Sequence, residues 1–326
     1  FDRKQVEENY FTWFQEIYQQ YQQERIAIFM GPNWAHGATD ELLQKAHAIS
    51  QSYDGLPMHI HTLQTPYQKA YGLRQYGKSL LAHLDDLGLV DERLVLGHAV
   101  YLTESDIALL AEKKAAVTHH PSCNLAMRNG IAPLYALWQQ GVTVALGLDE
   151  KGINDNEDPI MELRMIHYLH RVSGFDLAHT PPIDPYDILA MGTINAAKVL
   201  GVDHLVGSLE PGKRADLIIV DGQEIENAPY ANPDLDIALL FLHRAQGHMV
   251  KHVMVDGKLL VKDRVLQNVD LSALYQEARN IMQKGLPVAQ REYADLLHTI
   301  KPYYQNWYAN WLKQAGEPYY QMNAKQ

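Results

Sequence analysis

Apolar positions recur first at helical spacing and then in short runs that alternate with helical stretches. In residues 3–24, Val6, Tyr10, Phe11, Phe14, Ile17 and Tyr18 are three and four apart, which predicts an amphipathic helix. The run at 26–33, IAIFMGPN, is apolar and ended by Gly31 and Pro32, so it predicts a buried strand. Thr39 then stands as N-cap to a helix carrying Leu42, Leu43, Ala46 and Ile49. LPMHIH at 56–61 predicts the next strand, followed by a helical stretch over 66–87. RLVLGHAV at 93–100 leads into a helix over 103–113, with Thr103 as cap and Asp106 as the acid of a capping box. AAVTHH at 115–120 and VTVALGLD at 142–149 predict two more strands, with helices at 133–140 and 159–172.

Strands that alternate with helices imply a parallel sheet. Asn33, His61, His98, His119 and Asp149 all lie at or just past the C-terminal ends of their runs. In a (β/α)8 barrel that is the end where βα loops converge on a site. A doubly wound open sheet is the alternative. No GxGxxG follows a strand and no Walker-type loop is present, which favours the barrel. Five strands leave three of eight to be placed, and these are expected before Phe1, in a whole protein on the order of 450 residues. Residues 207–221 and 250–266 are β-rich, with Asp-Gly hairpin signals at 221–222 and 256–257, and predict a small β domain. From Leu271 the pattern is helical, with Leu271, Leu274, Ala278 and Ile281 on one face. Tyr303, Tyr304, Trp307, Tyr308 and Trp311 follow, and are expected to pack in the core or to dock on the body or a partner subunit. The expected division is 1–206 as the C-terminal part of the barrel, 207–266 as a β-sandwich segment and 267–326 as a helical extension.

Composition narrows the partners. The 326 residues are 47% hydrophobic, with 28 Lys and Arg against 39 Asp and Glu, a net charge of −11. An acidic chain is poorly suited to a phosphate backbone, so no nucleic-acid partner is expected. Cys123 is the single cysteine, which excludes a disulfide framework and a Cys-rich metal site. No apolar run reaches the ~18 residues of a membrane span, and no signal peptide is visible. A cytoplasmic protein without a membrane partner is expected. The histidines number 16. A single strand-end histidine is usually structural. His61, His98 and Asp149, each ending a strand of the same series, are another matter, because neutral imidazole and carboxylate suit a zinc-like ion.

HIHTLQTP (59–66), LGHAVYLTESDIALLAE (96–112), VTHHPSCNLAMRNGIAPL (117–134), VALGLD (144–149) and GSLEPGKRADLIIVD (207–221), in this order, resemble the metal-dependent amidohydrolase superfamily. The branch they resemble holds chlorohydrolases and cytosine-, guanine- and S-adenosylhomocysteine-type deaminases. The resemblance covers roughly residues 25–265. It implies a (β/α)8 barrel of which strands four to eight are visible, a composite β-sandwich, and one divalent metal, zinc first and iron second. In that branch the ligands are an HxH pair on the first strand, a histidine after the fifth and an aspartate after the eighth. The resemblance makes His61 and Asp149 the metal ligands in this sequence, and places the HxH pair before Phe1. His98 matches the sixth-strand histidine, which bonds the water or the substrate. His59 matches no ligand and is expected to pack inward or to support the site. A second metal in this family usually needs a fourth-strand lysine, and 26–33 has none.

One position departs from the pattern. Deaminases of the branch carry glutamate three residues after the fifth-strand histidine, and here Gln64 stands there. A carboxamide forms hydrogen bonds but does not relay a proton at neutral pH, which puts the usual route of ring deamination in question. The resemblance therefore implies a hydrolase that cleaves a C–N or similar leaving-group bond of a small cyclic or aromatic amide, urea, amidine or halide. Asp149, His98 and Gln64 are the catalytic candidates, with Asp149 as proton acceptor and His98 as stabiliser of the electrophile. Asn33, Trp34, His36, Asn124, Met127 and Glu150 are candidate substrate contacts. Deamination of a nucleobase- or pterin-like ring is the alternative, and an inactive ligand-binding relative is another. The partners expected are a small-molecule substrate and a second copy in a homodimer.

Overall fold

The computed structural model describes residues 2–23, 25–53, 55–149, 157–171, 181–226, 230, 232 and 234–311. Helix α1 (Arg3–Tyr21) starts at Asp2, whose carboxylate accepts from the Gln5 N–H, and it buries Phe11 and Phe14. Helix α2 (Asp40–Ser52) is capped by Thr39 and buries Leu43 and Ala46. Strand β1 (Met58–Thr62) follows. The helical stretch predicted over 66–87 is two helices, α3 (Pro66–Tyr76) and α4 (Leu80–Asp86). Gly77 takes a left-handed conformation that closes α3, and the Ser79 hydroxyl caps the restart. Next come β2 (Leu94–His98), α5 (Glu104–Lys113), β3 (Ala116–His119), α6 (Pro121–Ala126), α7 (Leu134–Gln139), β4 (Val144–Leu146) and α8 (Pro159–Leu169). Both halves of the Thr103–Asp106 capping box are formed on α5. Helices α9 (Pro185–Met191) and α10 (Ile194–Val199) lie against β4.

Strands β1, β2, β3 and β4 pair in parallel in that order. Period-two alternation sorts their side chains. Met58, Ile60, Leu94, Leu96, Val117 and Val144 share one face and pack in the main core with the helices. Each such fully buried side chain contributes roughly 1.5–3 kcal/mol. The opposite face carries His59, His61 and Thr118 among small residues, Gly97, Ala116 and Ala145.

The strand predicted at 26–33 is a ragged edge. Only Met30 and Trp34 form parallel bridges with β1, to Met58 and His61. Between them Pro32 has no N–H to donate, and Asn33 turns left-handed at φ +63°.

Strands β5 (Leu217–Val220), β6 (Val250–Val255), β7 (Lys258–Lys262) and β8 (Val265–Leu266) form an antiparallel sheet. Asp256 and Gly257, both at positive φ, make the predicted hairpin turn. The signal at 221–222 is not a hairpin. Asp221 accepts from the Gln223 N–H and opens helix α11 (Gly222–Glu226), and α12 (Ile237–Arg244) also intervenes before β6. Among the described residues this segment is one antiparallel sheet with two helices. Ile160 of α8 packs with Ile225, Leu240, Ala245 and Met249. Helices α13 (Leu271–Gln283) and α14 (Val288–Tyr308) bury no residue, so their apolar residues are not core. The aromatic end instead meets α3: Tyr308 lies 4.9 Å from Tyr67, Trp311 stacks on Tyr71, and Arg74 sits 4.9 Å from the Trp311 ring. Among the described residues no helix is long and apolar enough to cross a membrane.

Candidate metal centre and active site

The C-terminal edge of the parallel sheet is built from strand-end residues in an unusual backbone conformation. His98 ends β2 at φ +71°, and Asp149, just past β4, has φ +64°. Left-handed backbone costs a non-glycine residue about 1 kcal/mol, and such positions concentrate at functional sites. Side-chain bonds hold both residues. His98 Nδ1–H donates to Asn124 Oδ1 at 3.0 Å, and the Cys123 thiol donates to Asp149 Oδ2 at 2.7 Å.

Space for the imidazoles comes from small residues. A Cβ on Gly97 would lie 3.2 Å from the His59 ring, and one on Gly147 would lie 2.5 Å from His120 Nδ1. His61 stacks on His98 at 5.2 Å, and His120 lies 4.4 Å from His98 on another side. The His61 Nδ1–H donates to the Asn33 carbonyl at 2.9 Å, which leaves Nε2 with its lone pair. The Thr118 hydroxyl lies between two rings, 3.2 Å from His59 Nε2 and 3.0 Å from His120 Nε2.

The convergence is tightest at His98, His120 and Asp149. Each offers one ligand atom, and these atoms lie within 4.8 Å of one another. His98 Nε2 is 3.6 Å from Asp149 Oδ2. Two buried ring nitrogens there, His98 Nε2 and His120 Nδ1, have no hydrogen-bond partner. Burial pushes the His120 imidazole down to about 3, helped by the neighbouring His98 and opposed by Asp149. Burial also lowers His98, against the Asn124 bond and the Asp149 charge, and takes His59 down to about 4 with help from His61 and His98. Neutral imidazoles with free lone pairs beside a carboxylate fit a divalent ion of the zinc class.

The predicted residues fall in different places. His98, Asn124 and Asp149 meet directly. His61 stacks on this group without joining its tightest set. Asn33 contributes its backbone carbonyl. Trp34 and His36 stack on each other at 5.5 Å on the rim, with Trp34 exposed. Gln64 is half-buried, and its N–H donates to Gln68 Oε1 at 2.6 Å. Met127 is 55% exposed, turned to the surface rather than enclosed by the site. Glu150 lies outside the described residues. The sequence reading missed three contributors, Thr118, His120 and Cys123, although all stand in the run 117–134. Thr118 and His120 stand one residue either side of the end of β3, which was their signal, whereas Cys123 stands four past it and carried none. Behind the site, buried His119 and His170 share a 3.0 Å hydrogen bond between their Nε2 atoms, and the Ser122 N–H donates to fully buried Glu162.

Comparison with known proteins gives a consistent picture. Residues 3–260 match the model of the amidohydrolase family. A 5-methylthioadenosine/S-adenosylhomocysteine deaminase of Syntrophomonas wolfei is 33% identical over 261 residues, 80% of this chain and 59% of that protein. A 5′-deoxyadenosine deaminase of Methanosarcina mazei is 32% identical over 80% of this chain and 58% of its own length. The chain thus spans under two thirds of the curated relatives it matches. Among solved structures, a zinc-bound adenosine deaminase of Xanthomonas campestris superimposes with a TM-score of 0.78 at 30% identity, over 85% of this chain and 62% of that one. Atrazine chlorohydrolase from Arthrobacter aurescens, complexed with zinc, shares the fold at a TM-score of 0.75 and 22% identity, over 84% of this chain and 60% of its own.

Proposed function

Because the chain belongs to the amidohydrolase family, we propose that the protein is a metal-dependent hydrolase that cleaves a C–N or similar leaving-group bond of a small cyclic, nucleoside-like substrate. The observation that carries this reading is the meeting of His98 Nε2 and the Asp149 carboxylate, 3.6 Å apart, at the C-terminal edge of a parallel sheet. In this reading residues 1–206 contribute strands four to eight of a (β/α)8 barrel, 207–266 a sandwich segment and 267–326 an extension. One divalent ion, zinc first and iron second, is held by Asp149 and His61 with further histidines, and the zinc in both solved relatives supports that order. When bound, such an ion lowers the pKa of its water toward about 7 and polarises the electrophile. Asp149 accepts the proton at a carboxylate oxygen, and the Cys123 thiol keeps that carboxylate oriented. Asn124 fixes the His98 tautomer so that Nε2 presents a lone pair to the same centre. Trp34, His36 and Asn33 line the approach, and Glu150 and Met127 remain proposed as further substrate contacts. The protein acts in the cytoplasm, in keeping with one cysteine in 326 residues. It forms a homodimer, supported by the apolar faces of α13 and α14.

Gln64 shapes the chemistry. It orients the leaving group by hydrogen bonding and moves no proton, so the favoured reaction is one that needs no carboxylate there. Ring deamination of an adenosine-like nucleoside is a second reading, favoured by the names of the relatives, and it needs another acid in place of Gln64. The test is a panel of adenine nucleosides, N-alkylated aminopurines and cyclic ureas with the zinc-loaded protein, scored for ammonia and for released amine. Turnover that survives Gln64→Ala with only a modest loss supports the first reading. Fast ammonia release abolished by Gln64→Ala favours the second. Full metal occupancy with no turnover on any member leaves the inactive binder.

A further inference from the structure

We propose that Glu162 is a positioning residue of the candidate active site: it clamps helix α6, and α6 in turn holds His98 and Asp149. The inference rests on the metal-dependent reading above and keeps the roles given there. It adds a buried acid that acts only through the helix it anchors.

Three observations carry it. First, two consecutive residues of α6 hold two site residues on different strands. Cys123 bonds Asp149 Oδ2 at 2.7 Å, and Asn124 Oδ1 bonds His98 Nδ1 at 3.0 Å. Both held residues have left-handed backbone, so their placement depends on support from outside their own strands. Second, α6 does not place itself. It has six residues and starts at Pro121 with no side-chain cap, and a helix that short has little stability of its own. Its Ser122 N–H, left over at the helix start, donates to Glu162 Oε2 at 3.0 Å. Third, Glu162 is a costly residue to keep there. It is 0% exposed, and Oε1 has no hydrogen-bond partner. Burial pushes its carboxyl up, against the bonds from Ser122. An apolar side chain of that size would be cheaper for stability alone, so what Glu162 supplies is position. The helix that carries it is moored on both sides. Asp158 caps α8 and accepts from the Gly247 N–H at 3.2 Å, and Arg164 donates to the Leu242 and Ala245 carbonyls. A line of contacts thus runs from α12 through α8 and Glu162 to α6 and the site.

Cys123 is buried and is the single cysteine, so its labelling by Ellman's reagent in the folded whole chain reports the seat of α6. This readout needs neither metal nor substrate. Glu162→Leu fills the space but removes the acceptor, and is expected to speed labelling about tenfold or more through local opening. In the metal-loaded protein it is expected to lower kcat about tenfold or more with KM little changed on any substrate that wild type cleaves, the scale of losing such a support. Glu162→Gln keeps an oxygen for the Ser122 N–H and is expected to restore slow labelling. Leu163→Ala, the next residue of α8, loosens the main core without touching Ser122 and is expected to label as wild type does below its melting transition. Glu162→Asp, which draws the carboxylate back by one methylene, is the second variant should Glu162→Leu fold poorly by circular dichroism, and should also label faster. Wild-type labelling in both the Leu and Asp variants overturns the proposal, as does an acceleration that Leu163→Ala reproduces in full. Failure of the hydrolase reading looks different: labelling rises in Glu162→Leu and is restored in Glu162→Gln, and no bond in the substrate panel is cleaved by any of them.

Discussion

Gly147 shows how one missing side chain governs the site. Gly147→Ala puts a methyl 2.5 Å from His120 Nδ1, so the ring must leave its place. The expected result is a loss of about 1–3 kcal/mol in urea unfolding, the usual scale of overpacking, together with weaker metal uptake. An alanine variant with wild-type stability and affinity contradicts that account. The buried histidines away from the metal candidates set an acid limit. Burial takes His170 down to about 4, and burial with Arg171 and then His243 nearby takes His167 to about 4. Both folded values lie below the ordinary ~6.5, so the unfolded chain binds more protons between them. Their stability contribution is full above pH ~6.5 and drains away as pH falls toward 4. At pH 5 the loss for His170 is on the order of 2 kcal/mol, and that for the less enclosed His167 is smaller. Melting curves from pH 7.5 to 4.5 should show Tm falling from about pH 6.5 downward; a flat profile contradicts it. At this scale His61, His98 and Asp149 were legible because polar residues ending apolar runs stand out. His120 and Thr118 were not, since their roles depend on register between β3 and β4, which no local pattern encodes.

Strands β1 to β3 and helix α5 could be read from local signals because each carries its own start, stop and buried face. The capping box of α5 is the clearest case. Thr103→Ala removes the hydroxyl that accepts from the Asp106 N–H, and should cost about 1 kcal/mol in denaturant while leaving metal uptake unchanged. A loss of metal uptake would mean that α5 does more than support β2. The misreadings have physical causes too. The apolar run 26–33 looked like any buried strand, yet Gly-Pro-Asn at its end interrupts the ladder. Gly77 sat inside a helical rhythm that continued beyond it, so the period concealed a stop and a restart. Asp221–Gly222 has hairpin composition but caps a helix, because Asp-Gly serves both geometries and only the partner strand decides.

For the whole molecule, the parallel sheet and the β-rich segment were legible in order, whereas the cover of the C-terminal helices was not. Leu274 at 50%, Met282 at 76% and Tyr293 at 62% exposed lie on helices that bury nothing, and helices without a packed face are marginal in water. The whole chain is expected to run as a dimer in light scattering, and a chain ending at residue 266 as a monomer with unchanged metal uptake. A monomeric full chain contradicts the dimer. The rim stack of Trp34 on His36 has a further use. Five tryptophans are spread along the sequence, at 13, 34, 138, 307 and 311. Trp34 bridges to His61 beside the candidate metal centre, Trp138 donates to Asp187 of α9, and Trp311 sits on α3. Indole emission therefore carries separate optical channels for the centre, the helix layer and the tail. With the other four tryptophans changed to phenylalanine, quenching of Trp34 reads occupancy of the centre directly, with no substrate needed.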